Sequence, residues 1–207
     1  MPDRLGSGGG KDAAEYGGGP GGGQAGDGHG LHGDGGAEAG GGAVGFDLLD
    51  AVSQAVDRLQ TRYPVVLQAF TGPFMDSAQA AELARRQTAI RRFNRFSEDF
   101  TTWLQVADAT VSMAGYNTCM NLLATRVPAL VFPYSKQREQ PIRVEKIKNF
   151  IPMKILRDKD IEPLQLSRYI QEMFLESRPP GAVPINMDGA ENSAIYLKNW
   201  MNTRKER

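Results

Sequence analysis

Three short segments combine residue types that could bind a charged or hydroxylated ligand, and each follows an apolar run of strand-like character. The most informative is Ser112-Met113-Ala114-Gly115-Tyr116-Asn117-Thr118. Gly115 lets the backbone come close to a ligand. The amides of Asn117 and Thr118 stand where a helical pattern begins, and there the free N–H groups and the helix dipole favour an anion. Their side chains add further donors. This is the composition of a phosphate site that uses no lysine. An ordinary helix start capped by Asn117 would give the same local pattern, and both readings are open. The second segment is Pro133-Tyr134-Ser135-Lys136-Gln137-Arg138-Glu139-Gln140. Its polar run could hydrogen-bond a polyhydroxylated ligand, although by itself a solvated charged turn is the better reading. The third, Thr71-Gly72-Pro73-Phe74, reads as a simple turn.

Other chemically capable residues are poorly placed. His29 and His32 are three apart in a glycine-rich stretch without companion ligands, so they make a poor metal site, and no metal site is expected. Cys119 falls near a helix start, yet no base is near it in sequence, and it reads as a core cysteine. Arg85, Arg86, Arg91, Arg92 and Arg95 form a basic cluster. Such clusters are usually a solvated face; contact with acidic lipid or phosphate is the alternative, and it leaves peripheral membrane contact open.

The elements that must position the three segments follow from periodicity. Leu49, Val52, Val56 and Leu59 make a helical stripe, with Asp47 as a candidate cap. Strand-like runs are expected over 64–70, 88–93, 109–112, 128–132 and 154–156. Helices are expected over 77–86, from Ser97, and over 117–124, 139–148, 161–174 and 190–200. Strands alternating with helices imply parallel βαβ units. The fold class is therefore α/β, a Rossmann-like, doubly wound parallel sheet. Ligands of such sheets bind beyond the carboxyl ends of the strands, where all three segments lie.

Composition divides the chain. The first 45 residues hold 20 of the 24 glycines and almost no large apolar side chains. Such a stretch cannot bury enough surface to offset its ordering entropy. The expected organisation is a disordered tail over 1–45, a folded domain over 46–201 and a frayed terminus over 202–207. The sheet's usual first strand is expected to be missing. Twenty-four basic residues balance 24 acidic ones, so no nucleic-acid partner is indicated. A single cysteine, no apolar run near the ~20 residues of a membrane span and no signal-like apolar segment make a cytoplasmic setting the expectation.

Taken in order, Ala107-Asp108, Val111 to Thr118, Pro128 to Pro133, and Arg138-Glu139-Gln140 with Arg143 and Glu145 resemble the C-terminal domain of glycosyltransferase family 28. Within that group the chain is similar to predicted bacterial glycosyltransferases with a Met-x-Gly-Tyr-Asn-Thr loop. It is more weakly similar to the glucosaminyl transferase of peptidoglycan synthesis. The resemblance implies one half, the C-terminal half, of the two-Rossmann-domain GT-B architecture. It implies a nucleoside-diphosphate sugar as donor substrate, most often a UDP-sugar, with no metal or other cofactor. By position, Gly115, Tyr116, Asn117 and Thr118 would hold the diphosphate. Arg138, Glu139 and Gln140 would contact the donor sugar or the phosphates. The base is usually held by the loop near Phe93 and Asn94.

Two departures from the family's pattern matter. A Glu that binds the ribose hydroxyls is usual in the first turn after the diphosphate loop, and here Asn121 stands in its place. Asn can still bond a hydroxyl but loses the charge assistance. The family's N-terminal domain, which binds the acceptor, is expected to be lacking. Gly41 to Gly45 resembles the glycine-rich loop after the domain's first strand, which gives the chain the look of a truncated start. A hexosyltransferase domain that needs a protein partner to supply the acceptor site is thus one reading. A non-catalytic binding or regulatory protein, or a truncated gene product with a degenerate donor site, is the other. A dinucleotide oxidoreductase fits worse, since no strand is expected before any Gly-x-Gly-x-x-Gly arrangement.

Overall fold

The computed structural model describes residues 29–34, 42–134, 136–181 and 183–205. Six strands form one sheet: β1 (His29–Asp34), β2 (Val65–Phe70), β3 (Arg91–Asn94), β4 (Ala109–Met113), β5 (Ala129–Phe132) and β6 (Met153–Ile155). Their order is β3-β2-β1-β4-β5-β6, and every neighbouring pair is parallel. This is a doubly wound Rossmann-type order. It reverses direction between β1 and β4, and the ends of those strands frame a crevice.

The expectation that the first strand is missing is overturned. His29–Asp34 takes the central position, His29 opposite Val65 on one side and Leu31 opposite Ala109 on the other. His29 and His32, expected in an unstructured tail, belong to this strand. Its sequence, HGLHGD, has little strand propensity. A central parallel strand is held by backbone ladders on both edges, and that context overrides the residue's own preference.

The remaining strands show why the apolar runs were nearly continuous. In β4, Ala109, Val111 and Met113 enter one core, while on β5 Leu130 and Phe132 do the same. Ala129 and Val131 enter the core on the opposite face. Strands covered on both faces have no polar side to display. Helices α1 (Gly42–Leu59), α2 (Ser77–Arg85) and α6 (Pro163–Met173) cover the first face. Helices α3 (Phe100–Val106), α4 (Tyr116–Thr125) and α5 (Glu139–Ile147) cover the second.

The stripe Leu49, Val52, Val56 and Leu59 is buried on α1 as its spacing requires. The helix begins earlier than expected, at Gly42, so Asp47 is an exposed interior residue and not its cap. The glycine-rich loop therefore overlaps the first turn of α1, and its residue 41 lies outside the described residues. Asp76 caps α2, accepting from the amides of Ala78 and Gln79 at 2.9 and 3.2 Å. Asp76→Ala is expected to cost about 1 kcal/mol, read from the shift of the urea midpoint. Helix α3 starts at Phe100, three residues after Ser97, because the Ser97 hydroxyl accepts from Asp99 N and forms a turn ahead of the helix.

The basic cluster is divided among separate partners. Arg86 pairs with Asp50 and Glu82, and the hydrogen bond to Asp50 leads in holding its charge. Arg91 pairs with Asp57 at 2.7 Å, and Arg95 donates to the Pro73 carbonyl at 2.9 Å. Arg85 and Arg92 point to solvent.

Beyond α6 the chain crosses under the second helical layer. Arg178 donates three bonds of 2.7 Å, to the carbonyls of Leu104 and Ala107 at the end of α3 and of Thr125 at the end of α4. Arg126, in the left-handed region at φ 57°, caps α4 and bonds the Pro180 and Gly181 carbonyls. A last helix, α7 (Gly189–Lys205), leaves Tyr196, Leu197, Trp200 and Met201 exposed.

Candidate functional site

At the carboxyl ends of β2, β3 and β4 lies an open cavity of about 380 Å³. Gly72, Pro73 and Phe74 from the loop after β2 form one wall. Arg95, Phe96, Ser97 and Glu98 after β3 form the second, with Phe100 and Thr101 of α3. Gly115, Tyr116, Asn117, Thr118 and Asn121 form the third. Phe70 closes the floor, its ring 5.6 Å from Phe100 and 6.1 Å from Trp103.

The start of α4 is the chemically distinctive wall. Gly115 is the N-cap and, among the described residues, no side chain caps the helix. The alternative of Asn117 as an ordinary cap is thereby corrected: Asn117 is already the second helical residue. The first intrahelical bond runs from Cys119 N to Gly115 O at 3.0 Å, so the amides of Tyr116 and Asn117 precede the ladder. They carry the positive end of the helix dipole toward the cavity. Cys119 is fully buried, as a core cysteine should be.

The opposite walls are tied together. Thr71 N donates to Asn94 O at 2.9 Å, Gln68 Nε2 donates to Asn94 Oδ1 at 2.8 Å, and Arg95 bonds Pro73. Gly72 sits at φ 78°, which an L side chain rarely adopts, so glycine is required in this turn. Thr71 to Phe74, expected as a plain turn, therefore contributes Gly72, Pro73 and Phe74 to the cavity. Phe93 is in the core and Asn94 is engaged by Gln68; the residues just after them reach the cavity instead. Phe74 and Phe96 are 72% and 66% exposed at the rim, a large aromatic surface to leave in water. Sequence reasoning read Phe74 as part of a turn and passed over Phe96, an aromatic two residues beyond the end of β3.

Asn121 lies between the cavity and α3, where its Oδ1 accepts a long 3.5 Å bond from Thr101 Oγ1. Arg138, Glu139 and Gln140 are not brought into the cavity wall. Arg138 and Glu139 are exposed at the start of α5. Gln140 is buried; its Oε1 accepts from Tyr134 N at 2.8 Å and its Nε2 donates to Gln137 Oε1 at 2.7 Å. Both ends of that amide are spent on shaping the loop after β5. Among the described residues no group of three His, Cys, Asp or Glu side chains is placed to hold a metal ion.

Residues 40–193 match the profile of the glycosyltransferase family 28 C-terminal domain. The chain belongs to this family. Its relatives include the UDP-N-acetylglucosamine–N-acetylmuramyl-(pentapeptide) pyrophosphoryl-undecaprenol N-acetylglucosamine transferases of Staphylococcus aureus and Shouchella clausii. The first is 23% identical over 154 residues, covering 74% of this chain and 41% of the relative. The second is 21% identical over 161 residues, covering 76% and 44%. Among solved structures, Acinetobacter baumannii MurG aligns with a TM-score of 0.57 at 18% identity, over 73% of this chain and 42% of the other. The calicheamicin glycosyltransferase CalG4 aligns at 0.56 and 16% identity, over 72% and 36%. These two share the fold, the Rossmann-like half of a GT-B architecture. The chain spans less than half the length of the curated relatives it matches. No helix among the described residues is long and apolar enough to cross a membrane.

Proposed function

We propose that this domain binds the nucleoside-diphosphate sugar donor of a hexosyl transfer, with the diphosphate at the uncapped start of α4. The observation that carries this reading is the cavity that joins the α4 N-terminus to the loops after β2 and β3. Tyr116, Asn117 and Thr118 meet the diphosphate, Asn121 the ribose, and the rings of Phe74 and Phe96 offer faces to the base. Arg138 and Glu139 stand exposed outside the cavity wall and are assigned to the donor sugar, while Gln140 fixes the loop ahead of them. When the bond from the anomeric carbon to the diphosphate breaks, charge builds on the leaving diphosphate, and the helix N-terminus stabilises it. Family membership and relatives named for UDP-N-acetylglucosamine support uracil as the nucleobase to test first. The acceptor and the base that deprotonates it belong to a partner domain, so turnover by this chain alone is expected to be weak or nil.

Calorimetric titration with UDP and UDP-N-acetylglucosamine tests the reading. A saturating diphosphonucleotide should stabilise the fold, by about 2.7 kcal/mol at a hundredfold excess over Kd. A folded protein that ignores millimolar UDP, ADP and GDP alike would end the proposal. Asn121→Glu supplies the charge-assisted bond to the ribose and should tighten UDP binding about tenfold, or roughly 1.4 kcal/mol. Binding of a nucleotide without ribose hydroxyls should not improve in that variant.

A further inference from the structure

Helix α5 reaches the loops after β4 and β5 through two side chains three residues apart on one face. Gln140 holds the loop after β5 through Tyr134 N. Arg143 reaches the other way: its Nη1 donates to the Ala114 carbonyl at 2.8 Å, and its guanidinium stands 5.5 Å from the centre of the Tyr116 ring. The Arg143 side chain is only 16% exposed, whereas its acidic neighbour Glu139, at 3.6 Å, is 87% exposed. A solvated carboxylate at that distance contributes little. The firm contacts of Arg143 are thus the two residues on either side of Gly115.

Ala114 O is the last carbonyl before the N-cap of α4. A carbonyl at that point, turned toward an anion, would repel it and would also rotate the following amide away. Holding the carbonyl on a guanidinium fixes the peptide between Ala114 and Gly115 and places positive charge behind the amides of the first turn. We propose that Arg143 is the positioning residue for the diphosphate, acting through Ala114 and Tyr116 without lining the cavity itself. This rests on the donor-site reading given above. Its chemistry is specific: the part of a nucleotide that gains is the diphosphate, not the nucleoside.

The test compares UDP, UMP and uridine binding by calorimetry in the wild type, Arg143→Met and Arg143→Lys, with thermal unfolding of each. Arg143→Met is expected to remain folded, to bind uridine and UMP within about threefold of the wild type, and to bind UDP at least tenfold more weakly. Arg143→Lys, which keeps the charge and can still donate to the Ala114 carbonyl but lacks the planar fork, should recover part of that loss. Equal weakening of all three ligands would reduce Arg143 to a packing role and overturn the proposal, as would unchanged UDP affinity. Should Arg143→Met fail to fold, the UDP-to-UMP ratio in Arg143→Lys decides on its own: a ratio unchanged from the wild type overturns the proposal. A folded wild type that binds no UDP overturns the donor site first and this role with it.

Discussion

Asn117→Asp is expected to leave the domain as stable as the wild type, or slightly more so, while removing its affinity for diphosphonucleotides. The substitution is isosteric, and Asn117 is exposed in the first turn of α4. A carboxylate there interacts favourably with the helix dipole, by about 0.3–1 kcal/mol. The same charge faces the proposed diphosphate across the cavity. Two like charges about 4 Å apart repel by roughly 4 kcal/mol at an effective dielectric of 20, so a loss of more than about 100-fold in UDP affinity follows. The two readouts move in opposite directions, which a nonspecific defect does not do. Thermal unfolding and calorimetry on one preparation check both, and UDP affinity within tenfold of the wild type would place the diphosphate elsewhere.

Arg178→Met should produce the largest loss of stability, about 3–5 kcal/mol, because it strands three carbonyls at once. The guanidinium joins the ends of α3 and α4, where carbonyls have no intrahelical donors left. Burial pushes its pKa below the ordinary arginine value, and nearby Asp108 opposes that shift. The charge survives in this half-buried setting because each bond it makes is charge-assisted. Methionine keeps the aliphatic stem but leaves the carbonyls unsatisfied, which is the costly case. Urea unfolding should show a lowered midpoint with an unchanged slope. A loss under 1 kcal/mol would mean that water replaces the guanidinium without penalty.

The α/β alternation from β2 onward was legible because it rests on burial. Strands covered on both faces are mostly apolar, with only Gln68, Thr110 and Ser112 as buried polar exceptions in β2 and β4, and helices covered on one face must show a stripe like Leu49, Val52, Val56 and Leu59. Strand β1 was not legible, because its place depends on the open edges of β2 and β4 and not on its own side chains. The α4 loop could be read from composition, since Gly115, Asn117 and Thr118 are local in sequence. The wall formed by Gly72, Pro73 and Phe74 could not. It meets α4 only because the strand order sets β2 and β4 on either side of β1. Gln140 illustrates the same limit: its residue type suits a sugar contact, but its burial and its bond to Tyr134 N arise from tertiary packing.

The ring contact between Phe70 and Trp103 has an optical consequence. The sequence contains two tryptophans. Trp200, on α7, is 49% exposed and does not line the cavity. Trp103 is partly buried and stands one ring behind the cavity floor, 6.1 Å from Phe70. An occupant that displaces water from that floor alters the polarity around one indole and not the other. Occupancy of the cavity is therefore expected to shift the emission of Trp103 and to leave that of Trp200 as an internal reference.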